Sequence, residues 1–217
     1  MFAVAISPDS KLVASLSFPG KLKLWDAATE ELLAEHSTLR SQDGHLVFSP
    51  DSKILAVEDN GTGTIRLLKV PSFEEITNFR GRCPQFSSNG TELVYFLRDG
   101  ERFGIHWRDL KTQEERVWKT EWDSVGCLAM SPDGRSIAAA KGRSVWIWKV
   151  NAPDHPVEMQ AHAKDEKLSN QMVWDVAYSP DGHWLANASF DGRVNLCNLD
   201  NPHEKIQPLK AHSGAAK

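Results

Sequence analysis

The chain has 217 residues and a net charge of −4, with acidic and basic residues interleaved, so it presents no basic stripe to nucleic acid and no polybasic segment to an anionic membrane. Hydrophobic residues make up 41% and charged residues 25%, the balance of a folded globular protein, which argues against disordered and fibrous classes. No apolar stretch approaches the roughly 18 residues of a membrane span, and the opening MFAVAI is too short, and lacks the basic flank, for a secretory signal.

In chain order, the first feature is a short apolar run, VAI, followed by SPDS from Ser7 and a second apolar run, LVASLS. The same order returns as LVF, SPDS from Ser49 and ILAVED, then as PQF, SSNG from Ser87 and ELVYFL. It returns twice more, as LAM, SPDG from Ser131 and SIAAAK, and as VAY, SPDG from Ser179 and WLANAS. Proline and aspartate followed by glycine or a small polar residue are what a tight turn between two strands demands, so each copy is a hairpin. The five serines are spaced by 42, 38, 44 and 48 residues.

A third strand follows at a steady offset: LKLWD, TIRLLKV, FGIHWRD, VWIWKV and RVNLCNL. Its key position is held by Trp25, Leu68, Trp107, Trp148 and Cys197 in turn. A fourth strand, ELLAE, FEEITNF, ERVWKT, VEMQ or KIQPLK, closes each copy. Four strands repeating about every 43 residues, with β-branched and aromatic residues on both faces, cannot bury themselves singly and must stack radially, as propeller blades do. The expected fold class is therefore all-β: a β-propeller of five four-stranded antiparallel blades, at approximately 1–40, 41–80, 81–122, 123–164 and 165–217. It is either a closed five-bladed ring or an open portion of a larger propeller.

These units resemble the WD40 repeat family, most clearly in VAISPDSKLVASLSFPGKLKLWDAATEELL, with its Trp25-Asp26 pair, and in VAYSPDGHWLANASFDGRVNLCNLD. The favoured reading is a five-blade portion of a larger protein of this family. The resemblance implies a structural tetrad of His, Ser or Thr, Asp and Trp in each blade. Blade 5 offers His162, Ser189 and Asp191, with Cys197 in place of Trp; blade 1 offers Ser17 and Trp25, with Pro19 in place of Asp. Blade 3 offers Asp99 and Trp107, blade 4 offers Trp148, and His212 stands where a further copy would open.

No G-x-S-x-G, G-x-x-x-x-G-K-[ST] or H-E-x-x-H occurs, so no enzyme, cofactor or metal site is expected. The resemblance implies a non-catalytic scaffold that binds other proteins, further blades or copies of itself, and the interleaved charge leads to no expectation of a nucleic-acid or membrane partner. The alternatives are a regulatory region of a larger protein whose NTPase or kinase domain lies elsewhere, and a small-ligand or hydrolytic propeller.

Four residues before each anchor serine stand Ala3, His45, Cys83, Cys127 and Asp175, and five before it Phe2, Gly44, Arg82, Gly126 and Trp174. These rows vary while the turns hardly do, and in repeat scaffolds the variable rows carry the distinctive surface. Trp174, Asp175, Arg82, His45 and Phe2 are thus the candidate partner contacts, together with the loop 163–172. Three widely spaced cysteines without CxxC fit a reducing compartment, the cytoplasm, with the nucleus equally open.

Overall fold

The computed structural model describes residues 3–37, 44–100, 102–122, 124–160, 172–201 and 207–210. Of the residues singled out above, Phe2, His162, His212 and positions 163–171 lie outside them. The described residues form twenty strands and no helix, so no helix is long and apolar enough to cross a membrane.

The anchor turn explains why the same letters recur. In the first copy the Ser10 N–H donates to the Ser7 carbonyl at 2.8 Å, closing the turn. The Ser7 hydroxyl donates to Asp9 at 2.6 Å and accepts from the Leu12 N–H at 2.9 Å, while Asp9 accepts from the Lys11 N–H. Ser49–Asp51, Ser87–Asn89 and Ser131–Asp133 repeat this wiring, as does Ser179–Asp181. The serine therefore serves as donor and acceptor at once, and the acidic or amide residue satisfies the N–H groups that the turn leaves unpaired. The fourth turn residue is left-handed in all five copies, at φ 60° to 76°, which explains the glycine at 90, 134 and 182. Ser10 and Ser52 adopt the same conformation at a steric cost.

The strands pair as five antiparallel meanders. Blade 1 is β1 (Ala3–Ile6), β2 (Leu12–Ser17), β3 (Lys21–Asp26) and β4 (Leu32–His36); blade 2 is β5 (Leu46–Phe48), β6 (Ile54–Asp59), β7 (Thr64–Lys69) and β8 (Glu75–Arg80). Blade 3 is β9 (Arg82–Phe86), β10 (Glu92–Asp99), β11 (Arg102–Asp109) and β12 (Glu115–Lys119). Blade 4 is β13 (Leu128–Met130), β14 (Ser136–Lys141), β15 (Ser144–Lys149) and β16 (Ala152–Gln160). Blade 5 is β17 (Val173–Tyr178), β18 (Trp184–Ser189), β19 (Arg193–Asn198) and β20 (Gln207–Lys210).

The chain divides into two compact units, Met1–Glu121 with blades 1 to 3 and Trp122–Lys217 with blades 4 and 5. In the first, Ala14 and Leu16 of β2 pack with Leu55 and Val57 of β6, while Ala56 on the opposite face of β6 packs with Leu93 and Tyr95 of β10. A strand buried on both faces reads as an apolar run, and ILAVED is that run except for its charged end. In the second unit Ala138 and Ala140 of β14 pack with Val173, Val176 and Leu185. Their small side chains let the neighbouring blade approach closely.

Candidate functional site

The least ordinary residue of the fold is Glu58. The side chains of β6 alternate, so Ala56 and Glu58 both face blade 3, and Glu58 lies fully buried where its neighbours in the row are apolar. A buried carboxylate survives only if its charge and lone pairs are matched, and here three groups match it. The His45 Nδ1 lies 2.6 Å from Oε2, the Arg82 Nε–H donates to Oε1 at 3.0 Å, and the Cys83 backbone N–H donates to Oε2 at 3.0 Å. Burial pushes the Glu58 carboxyl up, but the hydrogen bond and charge of His45, then the bonds from Arg82 and Cys83, outweigh it and hold the group below the ordinary carboxylate range.

Local backbone brings these groups together. His45 precedes β5, and its carbonyl accepts the Glu58 N–H at 2.9 Å, extending the β5–β6 pairing by one rung. Arg82 and Cys83 begin β9 after Gly81, where a Cβ would stand 2.6 Å from Tyr95 and 2.9 Å from Ile65, so only glycine lets β9 come this close. Cys83 has φ 55° and the β9–β10 register shifts between Val94 and Phe96. The irregular start turns the Cys83 N–H toward Glu58.

Two candidates from the sequence, His45 and Arg82, thus share one partner that the repeat reading missed. The signal was available in the row nine residues after the anchor, where Leu16, Ala140 and Ala188 stand against Glu58. The Arg82 side chain remains 47% exposed while its Nε is held by Glu58.

The other candidates are placed differently. Trp174 packs edge-on against Phe190 with ring centroids 4.9 Å apart, and Asp175 accepts its neighbour Val176 N–H at 2.9 Å, so both have local partners within blade 5. The Trp25 indole N–H donates to Ser15 Oγ at 3.0 Å, and not to the expected Ser17. The register gives the reason: Trp25 stands opposite Val13, which makes Ser15 its diagonal neighbour and leaves Ser17 one step too far. In blade 5 the expected partner of Ser189 and Asp191, His162, lies outside the described residues. Cys197 stands opposite Leu185, its diagonal neighbour is Asn187, and the Asn187 amide lies 3.6 Å from its sulfur. Ser189 and Asp191 also shape the turn after β18, with the Asp191 N–H donating to Ser189 Oγ and the Arg193 N–H to Asp191.

In blade 3 the diagonal position is Phe96, and the buried Trp107 indole N–H has no hydrogen-bond partner among the described residues. Asp99 lies at the far end of β10, paired with Arg80 at 3.5 Å. Trp148 is buried against Trp122 at 5.1 Å, with Trp146 on the same ring at 5.3 Å. The aspartate of Trp25-Asp26 caps the turn after β3, accepting the Ala28 and Thr29 N–H groups, and Asp109 repeats this after β11.

Five antiparallel four-stranded meanders, repeated with one anchor turn, define a β-propeller chain. The family model described as "WD domain, G-beta repeat" matches residues 1–26, 113–149 and 158–198, so these three stretches are WD40 repeats. The chain is similar to WD repeat-containing protein 1 of Bos taurus, 22% identical over 262 residues, covering 95% of this chain and 42% of that protein. It is also similar to the Protein LST8 homolog of Drosophila melanogaster, 25% identical over 52% of this chain and 36% of that protein. The chain therefore spans about two fifths of the length of these relatives. Among solved structures, Kuenenia stuttgartiensis hydrazine synthase matches 96% of this chain and 65% of its own with a TM-score of 0.73 at 18% identity, a likeness of fold.

Proposed function

We propose that the chain is a non-catalytic protein-interaction scaffold whose contact surface centres on Arg82 and His45. The observation that carries this reading is the Glu58 clamp: a fully buried carboxylate holds a half-exposed arginine at a fixed place on an otherwise repetitive frame. Arginine is among the residues that most often dominate binding energy, and an arginine already ordered before contact loses less entropy on association. Asp9, Asp51, Asp133 and Asp181 are engaged in their turns, which fits a structural rather than a chemical use of these carboxylates. The partners proposed are other proteins, without nucleic acid or membrane. Three cysteines outside any disulfide support a reducing compartment, the cytoplasm or nucleus.

The test is quantitative affinity capture from the source cells with the wild-type chain, Arg82→Lys and Trp174→Ala. Arg82→Lys keeps a cation for Glu58 but loses the planar fork. It is expected to reduce recovery of specifically bound proteins by about tenfold or more, with little change in the thermal midpoint. Recovery that survives Arg82→Lys and is lost in Trp174→Ala would move the contact surface to blade 5, and recovery unchanged in both would overturn this placement.

A further inference from the structure

Around Glu58 the side chains offer more than a salt bridge. His45, Glu58 and Cys83 each present one ligand atom, an imidazole nitrogen, a carboxylate oxygen and a thiol sulfur, and these three atoms lie within 4.8 Å of one another. We propose that His45, Glu58 and Cys83 form a zinc-binding site at the joint of blades 2 and 3, with the fourth position open to water.

The donor set selects the metal. One nitrogen, one oxygen and one sulfur suit a borderline-soft cation such as Zn²⁺, whereas Mg²⁺ and Ca²⁺ take oxygen ligands. In a tetrahedral zinc site the ligand atoms stand about 3.3 to 3.7 Å apart, given metal–ligand lengths of about 2.0 to 2.3 Å. Closing the triangle thus requires side-chain shifts of about 1 Å or less.

Two features prepare the site. Cys83 is fully buried and outside any disulfide, and its φ of 55° lies in the left-handed region that cysteine seldom occupies. That conformation accompanies the Cys83 N–H bond to Glu58, and the Cys83 thiol lies within 4.8 Å of the same carboxylate. Charge balance is the second feature. Without metal, the Arg82 guanidinium supplies the cation for Glu58. With Zn²⁺ bound, one carboxylate and one thiolate neutralise the dication, and Arg82, already half exposed, is released from the carboxylate to solvent. The thiol proton of Cys83 leaves to solvent as the zinc–sulfur bond forms, and the proton that His45 donates to Glu58 leaves likewise, which frees a ring nitrogen lone pair for the metal.

The experiment is a Co²⁺ titration of the tag-free, metal-depleted full chain, followed by the thiolate-to-cobalt charge-transfer band, with Zn²⁺ then added in competition. The expected result is a band that saturates at one Co²⁺ per chain and is bleached by Zn²⁺. Cys83→Ser abolishes the band, while Cys197→Ser leaves it unchanged. His45→Gln weakens binding by about tenfold or more. Arg82→Gln keeps every ligand, removes the competing cation and tightens binding severalfold, so it carries the test even if a ligand variant fails to fold. Absence of the band at one equivalent, a band that survives Cys83→Ser, or weaker binding in Arg82→Gln would each overturn the proposal.

Discussion

The joint between blades 2 and 3 and the joint between blades 4 and 5 solve one problem with opposite chemistry. In both, the residue six places before the later anchor is tied to the hairpin of the earlier blade by a main-chain bond, Gly81 N–H to the Gly63 carbonyl at 3.2 Å and Val173 N–H to the Gly142 carbonyl at 2.7 Å. In both, the residue nine places after the anchor donates its N–H back across the innermost hairpin, from Glu58 to His45 and from Ala140 to Cys127. Blade 4 then fills the space with alanine and lets backbone approach backbone. Blade 2 fills it with a carboxylate that recruits His45, Arg82 and the Cys83 N–H. The WD40 model matches the alanine joint and leaves 27–112, where the charged joint lies, unmatched. A shared frame thus holds packing at one joint and a polar hub at the other.

The largest way to break this contrast is Glu58→Ala. It leaves the buried Cys83 N–H without its acceptor, opens a small cavity and strips Arg82 of its counter-charge, though the half-exposed arginine can turn to solvent. The expected loss is about 3 kcal/mol in urea unfolding. Ala140→Gly, at the equivalent place, is expected to cost about 1 kcal/mol. Similar losses at the two positions would mean that the hub adds nothing beyond volume.

A smaller effect is expected at Gly126. A Cβ there would stand 2.7 Å from the Val173 carbonyl oxygen and 2.9 Å from that of Trp174, distances at which the backbone of β17 must move. Gly126→Ala is therefore expected to destabilise by about 2 kcal/mol. Amide hydrogen exchange should show lost protection in β17 of blade 5 and none in blade 2. Unchanged exchange at β17 would show that this joint is looser than its distances state.

The repeats were legible in the sequence because turn chemistry is local: a serine that must both donate and accept, an Asp or Asn beside it and a left-handed fourth residue leave the same letters wherever the turn recurs. Register is not local, which is why Ser17 was expected where Ser15 stands; a diagonal contact depends on the strand opposite. Glu58 was missed for a related reason. At the end of ILAVED a glutamate looks like the polar close of a strand, and its burial comes from β9, supplied by residues more than twenty positions away. Arg82 and His45 were found through the two variable rows before the anchor, but their common partner belongs to a third row, nine residues after it. Trp174 stood in the row of Arg82 and packs on Phe190 instead.

The finest comparison sets Trp25 against Trp107, the same position in blades 1 and 3. Trp25 donates to Ser15, whereas Trp107 has Phe96 at the diagonal and its N–H is buried without a hydrogen-bond partner among the described residues. Trp25→Phe removes a satisfied donor and is expected to cost about 1 kcal/mol. Trp107→Phe loses part of the packing with Trp118 and with the Arg116 guanidinium, 5.1 Å from the ring centre. It also removes an unsatisfied buried donor, worth about as much as the packing lost, so its expected effect lies within about 0.5 kcal/mol of zero. Parallel urea unfolding of the two variants decides the matter. A larger loss at Trp107 would show that ring volume governs this row, while the expected order would show that a diagonal polar neighbour is what the repeat gains by keeping its tryptophan.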